Sequence, residues 1–332
     1  MTDMTAATPT RRGLSEEWRA RLTGSVASIS LTFLAVLLIG WFWVGPRFLS
    51  FGNISIIGTF VIVPLVVGTF AGFALLSGVV DLSIGSMVGL GSALFATFIA
   101  AGWDPSGAAL ATLAICVAFG GINAIAIVGF GAEPIAATLG MLVALRGISW
   151  VLLGPQGAIF SFNLEMFNLV SLTVFGLPAL FLLAIGLAFL AALIVTKTRL
   201  GRHVQAVGGD PVAAQRAGIS VKRVRVAALL LSAFGAGLGG IIYTAQLGSA
   251  ARATGFGLEF QVYAALMIGG YSILRGGVGN PIGGALGLLA VAGVSNILDL
   301  QAISPYFVNI IVGLLLLAAV LLDRLRGGDA YE

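Results

Sequence analysis

Ten stretches of this 332-residue chain are apolar over roughly the length of a membrane-crossing helix, and nothing else in the sequence constrains its fold so tightly. A helix needs about 20 apolar residues to cross the hydrocarbon core of a bilayer. Inside that core, only helices and closed barrels satisfy their own backbone groups. The stretches lie near residues 26–45, 54–76, 83–101, 107–129, 134–153, 172–195, 226–247, 259–275, 281–299 and 304–323. They predict an all-α polytopic membrane protein with about ten transmembrane helices. The composition agrees: 9% of residues are charged, against about 25% in a soluble domain. The 47 glycines suit closely packed membrane helices.

The charges predict an orientation. With the N-terminus inside and the spans alternating, most of the 17 Lys and Arg residues fall on the inner side, including Arg11, Arg12, Arg19 and Arg21. Arg47 and Arg252 fall outside, and Arg146 lies within a span. Cytoplasmic loops are the ones enriched in cations, so both termini are expected in the cytoplasm. The expected organisation is an N-terminal tail over 1–25, a single transmembrane domain over 26–323 and a C-terminal tail over 324–332. The net charge of +4 reflects this loop bias, with no sign of nucleic-acid binding. Cys116 sits in an apolar run and reads as a small core residue.

The longest polar stretch between spans is 196–225, TKTRLGRHVQAVGGDPVAAQRAGISVKRVR. It carries Lys197, Arg199, Arg202, Arg216, Lys222, Arg223 and Arg225, together with His203, the chain's one histidine. Gly208-Gly209-Asp210-Pro211 is expected to break the chain. Asp210 can cap a helix that starts at Pro211, where proline gives up no needed hydrogen bond. Gly218 can end that helix in a left-handed conformation. The two-turn helix would present Ala213, Ala214 and Ala217 as a small-residue face that another protein can approach closely. The plain alternative is a solvated turn between spans.

Two ionisable residues stand out in the apolar stretches. Asp81, followed by Leu82 and Ser83, either caps the next helix or belongs to a pathway or gate. Arg146 should face the bundle interior or a wet cavity, or extend to the interface beside Trp150. Gly85, Gly89, Gly91 and Ser92, and later Gly279, Gly283 and Gly287, set small residues at helical spacing for close packing. Pro64 is expected to kink its helix, and Glu133-Pro134 to start one. The segment 154–171 alternates aromatic and polar residues, which suggests a short helix or hairpin at the membrane surface.

The sequence contains no G-x-x-x-x-G-K-[ST] loop, no HExxH or Cys/His metal spacing and no GxSxG elbow. No catalytic residue, metal ligand or cofactor is therefore expected in this chain. A series of intramembrane carboxylates, as a proton-coupled pump would use, is also missing from the sequence. A pathway with so little charge suits a neutral polar solute.

Four segments carry a family resemblance: SGVVDLSIGSMVGLGS (77–92), GINAIAIVGFGAEPIAATLGMLVALRGI (121–148), TKTRLGRHVQAVGGDPVAAQRAGISV (196–221) and AALMIGGYSILRGGVGNPIGGALG (264–287). In this order they resemble the permease subunits of bacterial ABC importers of the ribose/simple-sugar class. The resemblance implies a homodimer or paired heterodimer of permeases in the bacterial inner membrane. It also implies a cytoplasmic ATP-binding partner that holds ATP and Mg, and an extracytoplasmic solute-binding protein. It places the ATPase-coupling contact on Gly208, Gly209, Asp210, Ala213, Ala214 and Gly218. Asp81, Ser83 and Arg146 are the candidate pathway or gate residues. The chain departs from the family at Asp210, where asparagine is common, and at Val79-Val80, where Gly-Ile is usual. It departs again at Ile135 in place of phenylalanine, and in the glycine-arginine order around 274–279. These departures bear on the solute. The competing readings are the same importer carrying a branched-chain amino acid, a nucleoside or a furanone signal, and a stand-alone secondary carrier.

Overall fold

A computed structural model describes residues 25–326. The expected tails, with Arg11, Arg12, Arg19 and Arg21, lie outside the described residues, apart from Ser25 and the end of the last helix. The described chain contains thirteen α-helices and four very short strands. In order they are α1 (Ser25–Val44), α2 (Phe51–Leu76), α3 (Ile84–Ala100), α4 (Pro105–Ala124), α5 (Pro134–Leu153), β1 (Ala158–Phe160), α6 (Leu164–Val170), β2 (Thr173–Val174), β3 (Leu177–Pro178), α7 (Ala179–Lys197), α8 (Arg199–Gly209), α9 (Pro211–Arg216), α10 (Val221–Leu247), β4 (Ser249–Ala251), α11 (Leu258–Ile268), α12 (Pro281–Leu300) and α13 (Pro305–Arg326). A π-helical turn, Ile125–Gly129, continues α4.

The helix starts follow from local chemistry. Asp104, Glu133 and Asn280 each stand before a proline and accept a hydrogen bond from a backbone N–H of the first turn. A side-chain acceptor followed by proline satisfies or removes the donors that a helix start leaves free.

Six helical segments are long and apolar enough to cross a membrane: Phe51–Leu76, Pro105–Gly129, Pro134–Leu153, Ala179–Lys197, Val221–Leu247 and Pro281–Leu300. Shorter apolar helices cover Ile29–Val44, Ile84–Ala100, Leu258–Ile268 and Phe307–Ala318. The chain is a polytopic helical membrane protein. Two expected spans change at their ends. The run beginning at 172 opens as the β2–β3 hairpin, with Thr173 opposite Pro178, and its helix starts only at Ala179. The run over 259–275 stops being helical at Ile268, and Gly269 and Gly270 close that helix.

The core is built around α2 and α10, which pack on each other; α10 also packs on α3 and α4. Glycine permits the approach of α10 to α3. A Cβ on Gly91 would come within 3.0 Å of Gly237 O, and one on Gly240 within 2.6 Å of Ser92 N. At the same crossing, the Ser92 and Thr244 hydroxyls lie 2.7 Å apart. Asn53 on α2 and Asn296 on α12 exchange two buried hydrogen bonds, of 2.8 and 3.0 Å. Both pairs follow the way membrane helices associate, through small residues and polar side chains. Cys116 is fully buried against Gly237.

The two ends of the bundle differ. One carries α8 and α9. The other carries α6 and the antiparallel pair β1–β4, in register at Ala158↔Ala251, Ile159↔Ala250 and Phe160↔Ser249. The segment 154–171 therefore supplies both a strand and a short helix.

Candidate functional site

At the cation-rich end, α9 forms as its sequence predicts. Asp210 accepts hydrogen bonds of 2.9 Å from the N–H groups of Val212 and Ala213. Gly218 closes the helix at φ +83°, while Ile219 N–H donates back to Ala214 O at 3.0 Å. Two expectations change. Gly208 and Gly209 do not break the chain; both are helical residues of α8, and the break falls at Asp210. The three alanines also do not share an exposed face. Ala213 and Ala217 are exposed, whereas Ala214 is buried against the chain itself. The three span an arc of about 100° on the helix, and the packing of α9 on α8 covers its Ala214 edge while Ala213 and Ala217 stay outside. Of the six expected contact residues, Gly209, Asp210, Ala213 and Gly218 are exposed, and Gly208 and Ala214 face inward.

Gly208 sits at a junction. A Cβ there would fall 2.4 Å or less from the backbone of Leu76 and Gly277. A Cβ on Gly276 would lie 2.8 Å from Gly78 Cα. Gly277 N–H donates to Leu76 O at 2.9 Å, and Arg225 Nε donates to Ser77 O at 3.4 Å. The end of α8 thus packs backbone to backbone against two non-helical segments, 77–83 and 269–280.

Segment 77–83 leads directly to Asp81, which is 1% exposed. Its Oδ1 accepts from Ser83 Oγ at 2.6 Å and Ser83 N at 3.1 Å. Its Oδ2 accepts from Ser232 Oγ on α10 at 2.8 Å. Tyr263 on α11 holds the Asp81 backbone from both sides, donating to its carbonyl at 3.0 Å and accepting from its N–H at 2.9 Å. Asn123 on α4 donates to Ser83 Oγ at 3.0 Å. Asp81 is not the helix cap. That position belongs to Ser83, which makes no capping bond with its side chain. The carboxylate instead folds the turn before α3 and ties it to α10. A buried carboxylate needs several donors, and short hydroxyl side chains supply them here.

Arg146 on α5 forms its own cluster. Its guanidinium lies 3.6 Å from Glu259 Oε1 on α11 and 4.7 Å over the Phe256 ring. Glu259 is 2% exposed. Arg146 also lines a small cleft with Ser86, Gly89, Ser149, Trp150 and Thr254. Of the placements expected for it, the one found is the interior one: Arg146 pairs with Glu259 and borders the cleft that Trp150 also lines. Asp81 and Arg146 do not touch. They are linked through α11, where Glu259 and Tyr263 stand one turn apart.

Glu259, Tyr263, Ser232 and Asn123 escaped the reading of the sequence. Glu259 lies at the edge of an apolar run and Tyr263 within one, and their partners are more than 100 residues away. Glu259 carried the one available signal, a carboxylate at membrane depth. At the end bearing α8, Asp323 on α13 accepts from Ser272 Oγ at 2.7 Å and lies 3.5 Å from Arg275, which anchors the 269–280 segment. Among the described residues, no group of three or more His, Cys, Asp or Glu residues is placed to hold a metal ion.

Comparison with known proteins agrees with this architecture. The family described as "Branched-chain amino acid transport system / permease component" matches residues 53–320. The chain is 32% identical to the D-allose transport system permease protein of Escherichia coli K12, over 84% of this chain and 85% of that one. It is 31% identical to the ribose import permease protein of the same strain, over 89% and 92%. It is also 31% identical to the autoinducer 2 import system permease protein of Salmonella choleraesuis SC-B67, over 84% and 80%. No solved structure matches. A likeness of this extent, on a polytopic helical bundle whose cation-rich segment contains a capped two-turn helix, establishes that the chain belongs to this family of transport-system permease components.

Proposed function

We propose that this chain is the membrane-spanning subunit of an ATP-driven, binding-protein-dependent importer that moves a sugar or sugar-like solute by alternating access. The observation that carries this is its likeness, over more than four-fifths of its length, to permeases named for D-allose, ribose and autoinducer 2 import. A bundle interior that pairs its charge, Arg146 with Glu259, and surrounds Asp81 with hydroxyls supports a neutral cargo.

In this reading about ten spans cross the bacterial inner membrane, with both termini and the α8–α9 end in the cytoplasm. A partner ATPase binds ATP and Mg, and meets the exposed residues on and around α9 (Gly209, Asp210, Ala213 and Gly218). Gly208 and Ala214 act from behind, holding α9 to the bundle. Closure of the ATPase moves α8, whose Gly208 presses on segments 77–83 and 269–280. The turn that holds Asp81 and Ser83 then repositions α3 relative to α10. A second permease subunit completes the pathway, and a loaded binding protein docks at the β1–β4 end.

The test is purification of the tagged chain in mild detergent with the products of neighbouring genes, followed by reconstitution with candidate binding proteins and sugars. An ATPase that copurifies, and is stimulated by one sugar-loaded binding protein, is the expected result. A chain that purifies alone and moves solute in liposomes without ATP would establish the secondary-carrier reading instead.

A further inference from the structure

The stretch 269–280, between α11 and α12, contains no helix or strand, and five of its residues are glycine. Glycine leaves the backbone free to take many conformations, so contacts from other elements must fix such a stretch. At its turn 272–275, one side chain from elsewhere supplies them among the described residues. Asp323 on α13 is 8% exposed. Its Oδ2 accepts from Ser272 Oγ at 2.7 Å and from Leu274 N–H at 3.3 Å. Its Oδ1 lies 3.5 Å from the Arg275 guanidinium. Ser272 Oγ in turn accepts from Arg275 N–H at 2.9 Å. A buried carboxylate is costly without donors, and among the described residues the donors to this one all belong to that turn.

We infer that Asp323 is a positioning residue of the transmission route: from α13 it fixes the turn 272–275, and so sets where Gly276 and Gly277 bear on Gly208. The turn runs straight into these two glycines. Gly277 N–H donates to Leu76 O at 2.9 Å. A Cβ on Gly276 would lie 2.5 Å from Gly208 O and 2.8 Å from Gly78 Cα. Contacts this close are between backbones, which do not yield as flexible side chains do. Motion of α8 therefore passes to segment 77–83 and Asp81 only while 269–280 resists it. A glycine-rich stretch freed from Asp323 would absorb the motion instead. α13 also packs on α11, whose Tyr263 holds the Asp81 backbone. The last helix thus braces the junction from both of its non-helical segments.

This inference rests on the importer reading, and the test separates the two. The permease is reconstituted with its ATPase and binding protein, and sugar uptake and ATP hydrolysis are measured on the same vesicles. Asp323→Ala is expected to lower the sugar moved per ATP hydrolysed at least fivefold, with the ATPase still copurifying in full. Asp323→Asn keeps an oxygen that can accept from Ser272 and Leu274, and should restore the ratio to within twofold of the parent. Ser272→Ala, a smaller change, should lower it about threefold, and it carries the test if Asp323→Ala is not recovered from the membrane. A purely structural tie would lower the unfolding midpoint and leave the ratio unchanged; a ratio within twofold of the parent in both alanine variants overturns the inference. So does an Asp323→Asn as uncoupled as Asp323→Ala. If the parent chain copurifies no ATPase and takes up no sugar with ATP, the importer reading itself fails, and the role of Asp323 falls with it.

Discussion

Among single residues, Asp81 shows how a carboxylate survives inside an apolar bundle. It is held by hydroxyls and by its own turn; among the described residues no cation pairs with it. Ser232 is the donor that reaches it from another helix. Ser232→Ala leaves Oδ2 without that bond and is expected to cost about 1–2 kcal/mol. Thermal unfolding in detergent should show a lower midpoint for this variant, while Ser232→Thr, which keeps the hydroxyl, stays closer to the parent. The sequence marked Asp81 as unusual, because an ionisable group that interrupts a long apolar stretch is rare. It did not reveal the partners, since serine in a membrane helix is common and Ser232 is 151 residues away. Arg146 was legible for the same reason, and Glu259 was the matching half that pairing across the fold supplies.

Among the elements, the decisive feature is the glycine contact at the end of α8. Gly208 and Gly209 are neighbours of one residue type with opposite surroundings. A Cβ on Gly208 would meet backbone of Leu76, Gly276 and Gly277, whereas a Cβ on Gly209 meets nothing within 4 Å. Backbone cannot move aside as the end of a flexible side chain can. Gly208→Ala is therefore expected to separate α8 from the 77–83 and 269–280 segments, lowering both the unfolding midpoint and sugar transport. Gly209→Ala should leave the unfolding midpoint within a degree or two, because alanine is also the better helix former. Equal midpoints for the two variants would remove Gly208 from the transmission route. The capped helices illustrate the opposite situation. Asp104-Pro105, Glu133-Pro134, Asp210-Pro211 and Asn280-Pro281 declare their starts locally; the sequence reading picked out the second and third.

At the scale of the whole molecule, the question is which surface of α9 meets a partner. Ala213 is exposed and Ala214 is buried, one residue apart. Ala213→Glu should weaken copurification of the ATPase and lower stimulated hydrolysis without changing the unfolding midpoint. Ala214→Glu should lower the midpoint as well, since it forces a charge between α9 and the bundle. If Ala213→Glu keeps a full complement of ATPase, the contact lies elsewhere. By itself the sequence determined the membrane class, the positions of the apolar helices, the capped two-turn helix and the family, because hydropathy, capping and motif order act over a few to some twenty neighbouring residues. Tertiary structure alone decided where the fifth ordered helix finds its counter-charge, which alanine of α9 turns inward and which glycine is locked between backbones. Those outcomes depend on residues brought together from distant parts of the chain, and helix packing, not local sequence, chooses them.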